Sequence, residues 1–218
     1  MSRQIFCLTK PEIIHSTDPS GLEYYGCDQN WYMSSWQQIS GCGPTTASTL
    51  LLYAYKSGRI RLPLDVLSQA DCVRLMEAVW AHVTPTPNGI YLSEQFCDGL
   101  MSFAASHGFE LECHALNVIE NRLERPGFSE VLTFIQNGLI TDSPIAFLNL
   151  SNGDLDNLEE WHWVTLVALE TDSDTQAAYA TIFDGDKSET IDLKQWYEQT
   201  VEGGALVYLE ARQNQPTD

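Results

Sequence analysis

Phe109-Glu110-Leu111-Glu112-Cys113-His114-Ala115-Leu116 is the stretch at which the chain changes its period. Phe109, Leu111, Cys113 and Ala115 alternate with Glu110, Glu112, His114 and Leu116, the repeat of a strand with mainly one face buried. Upstream the repeat is helical. Gly43–Lys56 sets Ala47, Leu50, Leu51 and Ala54 at i, i+3, i+4 and i+7 and stops at Gly58. Leu64–Val83 repeats the stripe through Cys72, Leu75, Met76, Val79, Trp80 and Val83. Ser93 caps a third helix, with Cys97, Leu100, Met101 and Ala104 as its buried face. Downstream, a helix over Phe128–Asn137 ended by Gly138 precedes strand-like runs at Pro144–Leu150, Trp161–Leu169, Ala178–Phe183, Glu189–Leu193 and Ala205–Glu210. Helices first and strands later, without βαβ alternation, predict an α+β fold. Its two unlike lobes are a helical lobe over about 40–108 and an antiparallel β lobe over about 109–211, in one domain. The first forty residues read as irregular, and Ser151–Glu160 and the tail from Arg212 as solvated connections.

Eleven Lys and Arg against thirty Asp and Glu leave a net charge of −19, which repels nucleic-acid phosphates and anionic lipid headgroups. Neither is an expected partner. Apolar runs such as Leu50–Tyr55 fall far short of the ~20 residues that span a bilayer. The N-terminal residues lack the apolar core and cleavage site of a secretory signal, so a cytoplasmic location is expected. The six cysteines show no Cys-x-x-Cys pair and no clustered His, which argues for reduced thiols rather than a disulfide framework or structural zinc. No metal or other cofactor is expected.

Five of those cysteines have ordinary explanations. Cys72, Cys97 and Cys113 lie on apolar stripes as small core residues, Cys7 between Phe6 and Leu8 has the same role, and Cys27 precedes Asp28, which raises a thiol pKa. Cys42 differs. In Ser40-Gly41-Cys42-Gly43-Pro44-Thr45-Thr46 a sulfur stands at the mouth of a helix, capped by Ser40 or Gly41, where unpaired N–H groups and the macrodipole favour a thiolate. Bare glycines on both sides leave room for a substrate backbone.

A thiolate nucleophile needs an imidazole and a group to orient it. Of the five histidines, His15 sits in a polar loop, His82 and His107 near helix ends and His114 on a polar strand face. His162 begins the most apolar strand, Trp161-His162-Trp163-Val164-Thr165-Leu166-Val167-Ala168-Leu169, where an imidazole needs a partner. A structural histidine fits that position too. The next strand, Tyr179–Phe183, is expected to pair antiparallel with it and ends in Asp184-Gly185-Asp186. That Asp-Gly-Asp is a good turn in its own right, and Asp184, or Asp186, is placed to accept the imidazole N–H.

Taken in order, "SGCGPTTAS", "WHWVTLVAL" and "IFDGD" resemble the papain-like cysteine peptidase superfamily, and more narrowly its bacterial branch related to the bacteriocin-leader (double-glycine) peptidases. The likeness spans roughly residues 24–193 and rests on three short motifs. It implies a two-lobed fold with Cys42 on the helical lobe and His162 and Asp184 on the sheet. It also implies an oxyanion-hole glutamine ahead of the nucleophile. Gln37 and Gln38 lie near the usual spacing, while Gln29, in the Gln-x-Trp pair Gln29-Asn30-Trp31, is the residue the resemblance favours. The membrane and nucleotide-hydrolysing parts of the exporters are absent, so their role does not transfer. The expected chemistry is hydrolysis of a peptide or amide substrate through a thioester. The alternatives are acyl transfer by the same triad, as in phytochelatin-synthase-like relatives, and a silent binding module. The acidic residues Asp154, Asp156, Glu159 and Glu160 favour a cationic substrate or are simply a solvated loop. Oligomeric state is not legible from the sequence.

Overall fold

The computed structural model describes residues 3–212. Strand β1 (Arg3–Cys7) is followed by a 3-10 turn (Pro11–Ile14), the small hairpin β2 (Ser16–Thr17) and β3 (Glu23–Tyr24), and a second 3-10 turn (Gln29–Trp31). The helical part is α1 (Ser35–Ser40), α2 (Cys42–Lys56), α3 (Gln69–Trp80) and α4 (Ser93–Ser106). Then come β4 (Glu110–Val118), α5 (Phe128–Ile140), β5 (Ile145–Asn149), β6 (His162–Asp172), β7 (Ala177–Asp184), β8 (Lys187–Asp192), α6 (Leu193–Gln199) and β9 (Gly204–Arg212). One antiparallel seven-stranded sheet runs β4-β9-β5-β6-β7-β8, with β1 pairing β6 beyond the reach of β5. The α+β expectation holds. The solvated tail after Arg212 lies outside the described residues.

The central helix is α2. Every residue from Gly43 to Ala54 is buried, so the helix is enclosed on all sides rather than along the stripe its sequence suggests. On one face of the sheet Phe96 of α4 stacks on Trp163 of β6 at 4.3 Å, and Trp163 Nε1 donates to the Ile90 carbonyl at 2.7 Å. On the other face α5 passes close to Ile145 and Tyr208, and Trp196 of α6 meets Phe147 edge-on. Both faces of β5 and β6 are covered, which accounts for their near-continuous burial.

Several local expectations need correction. The helix expected from Leu64 begins at Gln69, because Ser68 and Asp71 form a capping box that sets the start. Ser93 is the first helical residue and not the cap; its hydroxyl donates to Asn117 Oδ1 instead. Met101 is exposed, and Phe96 and Phe103 complete the buried face of α4. Helix α5 runs through Gly138, whose missing side chain admits the Tyr208 ring: a Cβ there would lie 3.0 Å from it. The early segment is not irregular, since β1 joins the sheet and α1 immediately precedes α2. In the Ser151–Glu160 loop Leu155 and Leu158 are buried, so the loop is anchored.

The cysteines also depart from expectation. Cys97 and Cys113 form a disulfide, their Cα atoms 5.8 Å apart, because α4 lies directly against β4. Cys7 is exposed on β1, whereas Cys27 and Cys72 are buried thiols. No helix among the described residues is long and apolar enough to cross a membrane. No group of three or more His, Cys, Asp or Glu among them could hold a metal ion.

Candidate active site

Cys42 is the first residue of α2, and Gly41 serves as its cap. Gly41 is required there: a Cβ would lie 2.2 Å from the Gln37 carbonyl oxygen and 2.9 Å from the Tyr32 ring. The carbonyl of Gly41 accepts from Thr45 N at 2.9 Å, and the first N–H groups of the helix, including that of Cys42, point away from its body. Gly43 is packed against Ile90, 3.0 Å from where a Cβ would stand, so both glycines serve packing rather than substrate entry. One turn further on, Thr46 Oγ1 donates to the Trp163 carbonyl at 3.2 Å. That bond ties α2 to β6 immediately beside His162.

His162 is 8% exposed and its Nε2 lies 2.9 Å from Asp184 Oδ2. The register explains the choice of acid. Thr165 pairs with Phe183, so continuing the ladder sets Asp184 opposite Val164, diagonal to His162 on the same face. Asp186 is carried away by the two-residue turn after Asp184, where Gly185 takes φ +57°. Burial works against a charged imidazole at His162, but the hydrogen bond to Asp184 and the interaction with the neighbouring Cys42 sulfur, with their negative charge, outweigh it and raise its pKa to about 10. With Nε2 committed to Asp184, Nδ1 is the ring nitrogen left free for a second partner.

Of the three glutamines, Gln29 shares with Cys42, Trp163 and Asp184 a narrow recess between helices and sheet. Its Nε2 donates to the Gln38 carbonyl at 3.1 Å, which fixes the amide and leaves its second N–H unspent. Its Oε1 is buried with no partner among the described residues. Gln37 instead bonds Glu77 at 2.9 Å, and Gln38 is spent on the carbonyls of Asn30 and Tyr32.

Asp28 was not singled out by the sequence as a site residue, yet it holds this corner together. Its carboxylate accepts from Asn30 N at 2.7 Å, capping the turn that carries Gln29. It also lies against Gly185, where a Cβ would come within 2.9 Å of Oδ2. Tyr25 N donates to the Gly185 carbonyl at 2.9 Å, completing the latch between this segment and the turn after Asp184. Burial raises the Asp28 pKa, more than its bonds to Asn30 lower it, and the charges of Asp186 and Asp184 add to the rise. The Asp-x-Asn spacing of a side-chain cap was its signal. The four other histidines have no part in the recess. His15 packs on Tyr25 and Phe183, His82 and His107 bond Ser106, and His114 stacks on Tyr208. The larger cavities of the surface lie away from Cys42.

No family model matches this sequence, and no curated protein matches it. Among solved structures the fold is similar to that of UfSP from C. elegans, a cysteine protease with a papain-like fold. The likeness has a TM-score of 0.55 at 10% identity, over 97% of this chain and 35% of that one. This chain thus spans about a third of that neighbour's length. The fold is papain-like, with mixed helices and one antiparallel sheet.

Proposed function

We propose that this protein is a cysteine peptidase-like hydrolase that opens a peptide or amide bond through a thioester on Cys42. The observation that carries the reading is the 2.9 Å bond from His162 Nε2 to Asp184 Oδ2 beside Cys42 at the start of α2, whose sulfur interacts electrostatically with the ring. His162, oriented by Asp184, takes the thiol proton, and the thiolate sulfur attacks the carbonyl carbon. The oxyanion that forms is met by the Cys42 N–H at the start of α2 and by the unspent N–H of Gln29. The imidazolium then gives its proton to the leaving amine, and water, deprotonated by the same ring, releases the acid. The likeness of the three motifs to the bacterial branch related to the leader peptidases supports placing the chain near that branch.

A fluorogenic peptide library tests the reading. Wild type is expected to cleave part of it and Cys42→Ala none; a Cys42→Ala protein as active as wild type overturns it. Product analysis with and without an added amine separates hydrolysis from acyl transfer, the second product appearing only if the thioester is intercepted.

A further inference from the structure

Two exposed aromatic residues stand where the chain enters β6 and where it approaches α4. Trp161, the residue before His162, is 53% exposed, whereas Trp163 is buried. Trp161 also takes φ +54°, a left-handed backbone that a bulky residue adopts only at a cost. The surrounding loop holds it there. Buried Asn149 donates through Nδ2 to the Glu159 carbonyl and accepts from Trp196 Nε1 at 2.8 Å, and Leu158 of the same loop is buried. Tyr91, 40% exposed, follows Ile90, whose carbonyl accepts the 2.7 Å bond from Trp163 Nε1 that ties the α3–α4 connection to β6. Ile90 also lies against Gly43, the residue after Cys42. Trp161 and Tyr91 therefore belong to the two segments that border the start of α2, one from the sheet and one from the helices. Neither makes a ring contact or a side-chain hydrogen bond among the described residues.

We infer that Trp161 and Tyr91 determine the specificity of this site by receiving a lysine or arginine side chain of the substrate on their aromatic faces, beside the scissile bond. The inference rests on the hydrolase reading and names its substrate class, a cationic peptide. An aromatic face attracts a cation through its quadrupole and covers the aliphatic stem of the same side chain. Charge favours a cation there over a neutral apolar group. Glu159 and Glu160 lead directly into Trp161; Lys187 lies 3.7 Å from Glu159, while Glu160 has no basic partner among the described residues. The whole chain adds to this, since a net charge of −19 draws cationic peptides toward the surface and repels acidic ones. A tryptophan that served only the core would be buried, as Trp163 and Trp196 are, and would need no left-handed backbone.

The test measures binding to the full chain carrying Cys42→Ala, using acetylated alanine hexapeptides that contain a single lysine, norleucine or glutamate. Norleucine keeps the aliphatic stem of lysine and lacks its charge. The lysine peptide is expected to bind about tenfold more tightly than the norleucine peptide, with the glutamate peptide weakest. Adding Trp161→Ala should bring lysine and norleucine to equal affinity, and Tyr91→Ala should narrow the gap. Trp161→Gly, which suits the left-handed backbone, should abolish the preference with the melting temperature held or raised, a result that a purely structural tryptophan would not give. Equal affinities for lysine and norleucine, no binding of any of the three peptides, or a preference that survives loss of the Trp161 ring would each overturn the inference. Binding needs no turnover, so its failure is distinguishable from that of the hydrolase reading, which the fluorogenic library tests on wild type.

Discussion

At the scale of single residues, His162 links the chemistry to stability. His162→Ala is expected to lower peptide turnover by about 10²–10⁴-fold, the share a positioned base supplies, with Tm changed far less. Steady-state kinetics and a melting curve on the same sample check this. The folded chain holds the His162 proton more tightly than an exposed ring does, so the group stabilises fully below pH 6.5 and loses that effect as pH rises through about 10. The stability advantage of wild type over Asp184→Asn should therefore shrink from pH 6.5 to pH 10 in urea unfolding; an advantage constant over that window refutes the coupling. The sequence made His162 legible because an imidazole in an apolar strand needs a partner, and made Asp184 legible as the end of the neighbouring strand. Neither composition nor spacing separated Gln29 from Gln37 and Gln38. That depended on which amide the 3-10 turn and the Gln38 carbonyl hold near the sulfur.

At the scale of elements, the junction of α1 and α2 is where packing leaves least freedom. Gly41→Ala sets a methyl against the Gln37 carbonyl and the Tyr32 ring, and is expected to cost about 1–3 kcal/mol in urea unfolding, as overpacking typically does. The same substitution should slow alkylation of Cys42, since relieving the clash displaces the start of α2. Helix and strand periods were readable because they reflect which side chains meet apolar neighbours. Their ends were read less well: Gly138 looks like a stop but accommodates Tyr208, and Gly43 looks like an opening but accommodates Ile90. A glycine's meaning depends on what approaches it, and that neighbour is distant in sequence.

At the scale of the molecule, the Cys97–Cys113 bond fastens the last helix of the first half to the first strand of the second. With its ends sixteen positions apart in sequence, reducing it is expected to cost about 3 kcal/mol of stability by the loop-entropy relation. Denaturant unfolding of Cys97→Ser/Cys113→Ser against wild type measures it, and an unchanged midpoint refutes it. By itself the sequence determined the α+β class, the change from helix to strand at Phe109 and the thiol at a helix mouth, because each follows from local period, capping and charge. Only the tertiary structure decided that Asp184 rather than Asp186 holds His162, that Gln29 stands beside Cys42 and that Cys97 meets Cys113. Those pairings are made by strand register and by helix–sheet contact, which bring together residues whose separation along the chain carries no trace of their distance in space.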